Sequence, residues 1–294
     1  MKLDLNSTVT LNNGIKMPLL GMGVWKSANK TASQSVRWAL KHGYKLIDTA
    51  KQYGNERGVG EGLTKGLSEN GLKREDIFLT TKIFNGDEGY ESTLDAFDNQ
   101  LKNLQTDYVD LLLIHWPVSG KYNETWKALE KIYNEGKAKA IGVSNFNVER
   151  LTDLLSEATI TPAVNQMEFH PLEQETDIKN FCDQNDIQLE AWSPLGGGEV
   201  LNNPQITNLA EKYNKSTAQI ILRWDMQRKI IAIPKSTHEK YIQQNTDIYD
   251  FELSNEDVQL INNLDLEKRS LWYGNFAWNG NPDGIKDTID EWDD

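Results

Sequence analysis

Cysteine occurs once in the 294 residues, as Cys182, so an internal disulfide is impossible and a stapled fold is excluded. Cys182 follows Phe181 on an apolar helical face, which assigns the thiol to a core. Histidine is nearly as scarce. His42, His115, His170 and His238 are too scattered for a zinc signature readable in sequence. Long hydrophobic runs are missing as well: Val109–Trp116 is far short of a membrane span. The start of the chain mixes Lys2, Asp4 and Asn6 with its apolar residues and shows no secretory core. A soluble, cytoplasmic chain is predicted. Positive charge is in deficit, with 31 Lys+Arg against 44 Asp+Glu and a formal net charge of −13. That balance disfavours a nucleic-acid surface, yet one local lysine would still serve a small phosphorylated ligand. No G-x-G-x-x-G and no P-loop pattern occurs, and Gly142–Phe146 is not a nucleophile elbow.

What is present is alternation. Short β-branched apolar runs fall at Leu19–Trp25, Tyr44–Ala50, Ile77–Phe84, Val109–Trp116, Lys139–Asn145, Ala163–Phe169, Gln188–Ser193 and Ile230–Ser236. Between them lie stretches with helical spacing, such as Leu94, Phe97, Leu101 and Leu104, or Leu151, Leu154, Leu155 and Ala158. Gly43, Gly71 and Gly136 sit where such helices should end. Eight βα units with strands apolar on both faces predict an α/β fold, a closed parallel (β/α)8 TIM barrel forming one domain over residues 1–294. Thr8–Leu11, Asn12-Asn13-Gly14 and Ile15–Met17 read as an N-terminal hairpin able to plug the barrel's bottom. Gln205–Tyr213 and Ser254–Leu264 read as two extra helices, the second with an N-cap at Ser254. A short C-terminal loop with Trp272, Tyr273, Phe276 and Trp278 follows Leu266.

Barrel active sites form at the C-terminal ends of the strands, and there this sequence is polar. The eight runs finish on Trp25, Asp48, Lys82, His115-Trp116, Ser144-Asn145, Gln166, Trp192-Ser193 and Lys235-Ser236. Asp48 and Lys82 end adjacent strands and invite an ion pair, which by itself reads more simply as structural. Tyr53 just past strand two and His115 at the end of strand four change that balance. A phenol with a reference pKa of about 10 is a reluctant acid near neutrality; an ammonium beside it, held by a carboxylate, is expected to lower that value. A rim histidine can polarise a carbonyl oxygen. His170 reads as a structural rim residue. Gly196-Gly197-Gly198 reads either as a flexible loop or as backbone able to close over a pyrophosphate.

These residues resemble the aldo-keto reductase superfamily from end to end, in its bacterial-type aldehyde and diketo-sugar reductase branch. Gly21-Met22-Gly23-Val24-Trp25, Asp48-Thr49-Ala50 with Tyr53-Gly54-Asn55-Glu56, Thr81-Lys82, Ile114-His115-Trp116-Pro117, Gly142-Val143-Ser144-Asn145-Phe146, Asn165-Gln166 and Ile233-Pro234-Lys235-Ser236 are similar to its motifs in order. The resemblance implies that Tyr53, Asp48, Lys82 and His115 are catalytic, with Tyr53 the general acid in reducing a small aldehyde or ketone. It implies cofactor contacts from Gly23, Trp25, Ser144, Asn145, Gln166, Trp192, Ser193, Leu195, Lys235, Ser236, Thr237 and Asn245. Trp25, Phe84, His115 and Trp116 would wall the substrate side, and no metal is required. NADPH is the cofactor expected from Lys235. Tyr241 stands where the family usually has an Arg, and it leaves NADH or dual use open. A monomer acting on a small carbonyl compound, without nucleic-acid or membrane partners, is the expectation. Two rivals differ in class: a non-catalytic dinucleotide-binding sensor or partner subunit, and an aldolase or isomerase using Lys82 as a Schiff-base nucleophile.

Overall fold

A computed structural model describes residues 3–269; the aromatic, acidic stretch expected to form the C-terminal loop lies beyond them. Strands β1 (Thr8–Thr10) and β2 (Lys16–Pro18) pair antiparallel. Gly14, at φ 86°, supplies the left-handed residue that lets the chain reverse between them. Asn12 and Asn13 at the tip donate to the carbonyls of Pro162 and Lys139, 3.0 Å each, just before two barrel strands. The hairpin therefore caps the bottom of the barrel, as its sequence suggested.

Eight parallel strands follow: β3 (Gly21–Gly23), β4 (Leu46–Asp48), β5 (Phe78–Ile83), β6 (Leu111–Ile114), β7 (Ile141–Ser144), β8 (Val164–Glu168), β9 (Gln188–Trp192) and β10 (Ile231–Ala232). They pair in chain order. Parallel bridges Leu20–Ala232 and Gly23–Lys235 bring β10 back to β3 and close the ring. The helices between them are α1 (Asn29–Lys41), α2 (Glu56–Asn70), α3 (Tyr90–Leu104), α4 (Tyr122–Asn134), α5 (Val148–Glu157), α6 (Thr176–Gln184), α7 (Pro204–Tyr213), α8 (Thr217–Gln227), α9 (Glu239–Gln244) and α10 (Asn255–Asn262). The two helices beyond the repeat, α7 and α10, are capped by Asn203 and Ser254, whose side chains accept the first free N–H groups. They cover α8, which is buried without interruption from Gln219 to Met226, and Trp224 Nε1 donates to Asn262 of α10 at 2.8 Å.

The observed strands are shorter than the apolar runs. The runs end in polar residues that leave the ladder and turn into the mouth: Lys26, Asn145 and Ser193 adopt φ of 55°, 64° and 49° there. Left-handed backbone at non-glycine residues costs free energy and concentrates at functional sites. Gly43, Gly71 and Gly136 end helices with positive φ, as expected. In α2 glycine does a different job. A Cβ at Gly58 would stand 2.1 Å from the Asn29 carbonyl, so only glycine lets α2 approach α1 this closely. Cys182 is buried on α6 and burial pushes its thiol up to about 12, which makes it an inert core residue. Among the described residues no helix is long and apolar enough to cross a membrane.

Candidate active site

The C-terminal ends of β3, β4, β6, β7, β8, β9 and β10 surround a cavity of about 460 Å³. Lys82 reaches up from β5 beneath it, with no side-chain exposure. Its Nζ donates to Asp48 Oδ1 and Oδ2 at 2.7 and 2.8 Å, to the Thr49 carbonyl at 3.0 Å and to Tyr53 Oη at 3.3 Å. Asp48 ends β4, and Tyr53 ends the 3-10 turn Lys51–Tyr53 that follows it. That turn is pinned from behind. Asn55 accepts from Thr49 Oγ1 and donates to the carbonyls of Val24 and Ser27, all at 2.9 Å, which ties the loop carrying Trp25 to the loop carrying Tyr53.

The Asp48–Lys82 pair expected from sequence is thus present, but the expected effect on the phenol is reversed. Burial first, then the carboxyl groups of Asp48 and Glu190, hold the Tyr53 hydroxyl well above its ordinary value. Two short bonds to Asp48 commit the ammonium there, and the longer contact to Tyr53 does not outweigh desolvation. His115 completes the group. Its ring lies 5.8 Å from that of Tyr53, edge to face, and burial together with Lys82 depresses its pKa well below the usual imidazole range. It is therefore neutral. Nδ1 is buried without a partner. Trp116 stacks against the His115 ring at 6.2 Å, and Phe84 meets its edge at 5.7 Å. Trp192 packs on Phe84 and Trp116.

On the other wall, Ser144, Asn145, Gln166, Trp192, Ser193, Leu195, Gly23, Trp25 and Lys235 all line the cavity. Asn145 Nδ2 donates to the His115 carbonyl at 2.9 Å and to Ser144 Oγ at 3.0 Å, while its Oδ1 accepts from Trp192 Nε1 at 3.0 Å. Gly197 and Gly198 line the same space with φ of 60° and 97°. Ser236, Thr237 and Asn245 do not line it. Ser236 and Thr237 lie in the β10–α9 loop, where Ser236 Oγ accepts from the His238 N–H at 3.1 Å, and Asn245 follows α9 as its C-cap. Phe84 stands behind Trp116 and Trp192. His170 is a buried structural residue, paired with Glu168 at 3.2 Å. Among the described residues no cluster of three or more His, Cys, Asp or Glu is placed to hold a metal ion.

The model for the "Aldo/keto reductase family" matches residues 19–266. The chain belongs to this family. It is 52% identical over 270 residues to a glyoxal reductase of Bacillus subtilis, covering 92% of this chain and 96% of that one. It is also similar to the crystal structure of an aldo/keto reductase from Brucella melitensis, with a TM-score of 0.84, 50% identity and coverage of 88% of this chain and 99% of that chain. A Bombyx mori aldo-keto reductase in complex with NADP superposes with a TM-score of 0.89 at 32% identity, over 95% of this chain and all of the other. As a member of this family the chain is an oxidoreductase that acts on carbonyl groups.

Three parts of this reductase's site escaped the sequence reading. Lys26 lines the cavity, its Nζ 4.4 Å from the Trp25 ring centroid, and it lowers the Lys235 ammonium pKa after partial burial does. Two lysines gathered at one mouth of an acidic protein leave room for an anion. Glu56 and Gln100 brace β5 from outside: Thr81 Oγ1 and Gln100 Nε2 donate to Glu56 Oε1, and Gln100 also donates to the Lys82 carbonyl at 3.0 Å. Glu190, finally, is a carboxyl group inside the barrel, bonded to Gln166. Of these only Glu56 falls in a motif, and its brace on β5, like the roles of the others, depends on neighbours distant in sequence.

Proposed function

We propose that this enzyme reduces small aldehydes and ketones with NADPH, with Tyr53 as the general acid. The observation that carries the reading is the buried line Asp48–Lys82–Tyr53 opening beside His115 onto an aromatic-walled cavity. Its residues fit a nicotinamide dinucleotide. Asn145 Oδ1 and Gln166 would hold the carboxamide, with Ser144 fixing Asn145. Trp192, Ser193 and Leu195 would flank the ring. The Gly197-Gly198 backbone, with Lys26, would take the pyrophosphate, and Lys235, Ser236 and Thr237 the adenosine end. When bound, the cofactor supplies a hydride to the carbonyl carbon.

The protein's own groups manage the oxygen. Tyr53, whose pKa is raised by burial, keeps its proton on Oη across the neutral range and so can donate it to the substrate oxygen. Lys82 Nζ, 3.3 Å away, then stands ready to stabilise the phenolate, and Asp48 holds the ammonium in place. Neutral His115, open to the cavity, donates to the same carbonyl oxygen; its unpartnered Nδ1 favours the tautomer with the proton on Nε2. Trp116 and Trp25, with Phe84 packed behind Trp116, exclude water and favour small or flat carbonyl compounds. A Schiff base at Lys82 is disfavoured, since all its protons are committed to four acceptors in a fully buried setting. The test is nicotinamide absorbance with NADPH and NADH against aldehydes, dicarbonyls and keto-sugars. Consumption of cofactor only with carbonyl present supports the reading; none across the panel refutes it.

Cofactor choice is a finer matter. Tyr241 is half exposed on α9, its ring 6.0 Å from that of His238 and 5.8 Å from Lys240 Nζ. A tyrosine there can stack on adenine but cannot give a phosphate the paired charged bonds of an arginine. Tyr241→Arg is therefore expected to raise the NADPH-over-NADH preference. A charge-assisted bond of about 1.5–3 kcal/mol corresponds to roughly tenfold or more. Titration of both cofactors by quenching of tryptophan fluorescence reads the change. No change would mean another residue already fills that role.

A further inference from the structure

Glu190 occupies a place that a barrel core would give to an apolar side chain. It lies in β9 opposite Gln166 of β8 and Ile231 of β10, with no exposure. Its Oε2 accepts from Gln166 Nε2 at 2.8 Å, and its Oε1 is buried without a partner. Leaving a buried polar atom unpaired is costly, so such groups call for a functional explanation. The second proton of the same amide goes to Asp48 Oδ2 at 2.9 Å. One unbroken line of contacts thus runs Glu190–Gln166–Asp48–Lys82–Tyr53.

An amide whose nitrogen serves Asp48 and Glu190 is held that way round, because turned over its oxygen would face the Asp48 carboxylate and lose both of these bonds. Gln166 is left with only its carbonyl oxygen to offer the cavity, the end that accepts from the N–H2 of a carboxamide. We propose that Glu190 is a positioning residue of the reductase: by sharing the Gln166 amide with Asp48 it fixes the end presented to the nicotinamide, and by its own charge it sets the alkaline limit of turnover. The proposal rests on the NADPH-dependent reduction put forward above.

The alkaline limit follows from the groups that face Glu190. Burial, and after it Asp48 from β4, push its carboxyl up to about 8; the hydrogen bond from Gln166 of β8, and then Lys82 from β5, oppose them more weakly. On β10 its neighbour in register is the apolar Ile231. Near neutrality Glu190 is therefore protonated and the interior charges are Asp48 and Lys82, which cancel. Above about 8 a second negative charge appears with no new cation, and it raises the Tyr53 phenol further. Proton donation weakens, so kcat falls while cofactor binding holds.

Two variants test this on the intact enzyme. Glu190→Gln keeps an acceptor for Gln166 but cannot ionise. It should bind NADPH as the parent does and lack the parent's decline in kcat above pH about 8. Glu190→Ala frees the amide and should weaken NADPH binding about tenfold, the worth of one hydrogen bond, when binding is titrated by fluorescence without substrate. An unchanged alkaline limb in Glu190→Gln, or unchanged NADPH affinity in Glu190→Ala, overturns the proposal. If Glu190→Ala does not fold, the pH profile of Glu190→Gln decides alone. A parent that neither binds NADPH nor reduces a carbonyl would instead remove the functional reading beneath it.

Discussion

Replacing Tyr53 with Phe is expected to lower kcat/KM for carbonyl reduction by ~10²–10⁴-fold, the usual worth of general acid catalysis, while NADPH affinity stays within about twofold. Only one atom is lost. The phenol oxygen is the group 3.3 Å from Lys82 Nζ, and the contacts of Asn145, Gln166 and Lys235 are untouched. Because burial holds the phenol protonated, the substitution removes a proton donor and no charge. Folding stability should therefore change little, and a thermal melt separates the two effects. A Tyr53→Phe enzyme that keeps most of its activity would show that the proton reaches the substrate oxygen from another source.

Lys82→Met is expected to damage both stability and turnover. Asp48 would be left buried, bonded to Gln166 but without its cation. Removing one partner of a buried pair costs ~3–5 kcal/mol. Turnover should drop on the order of 10²–10³-fold beyond any loss of folded protein, as when one stabilising donor is removed from a developing anion. Pairing the change with Asp48→Asn distinguishes the roles. The double variant should regain much of the stability, since no bare carboxylate remains, and should recover no activity, since the phenolate still lacks its counter-charge. Recovery of activity in the double variant would reduce the pair to scaffolding. Full activity in Lys82→Met would refute the coupling of Lys82 to Tyr53.

The outline of this molecule was readable because barrel strands repeat. Eight apolar runs between amphipathic stretches admit few closed arrangements, and polar residues at the runs' ends mark one face. Asp48, Tyr53, Lys82 and His115 were found from that rule before any resemblance was invoked. What the rule could not give was the balance of fields around Tyr53. The cation beside the phenol was visible in sequence, but its commitment to Asp48 and the low-dielectric surroundings were not, and these reverse the direction of the pKa shift. Glu190 was lost inside an apolar strand run, where a single carboxylate looks like an outward-facing residue. Gly58 was equally silent. Glycine lowers helix propensity, and only the packing of α2 on α1 reveals why it is needed. Ser236, Thr237 and Asn245 were assigned to the cofactor through resemblance alone, and they lie outside the cavity that the other contacts line.

In the proposed reaction a hydride passes directly from the cofactor to a carbonyl carbon while Tyr53 protonates the oxygen. Turnover of an aldehyde with NADPH carrying deuterium at the transferring C4 position tests it most directly. Deuterium is expected on the carbinol carbon of the product, one per cofactor oxidised, and hydrogen from solvent only on the hydroxyl. Product whose carbinol hydrogen comes from solvent, or cofactor oxidised without alcohol formed, would contradict it.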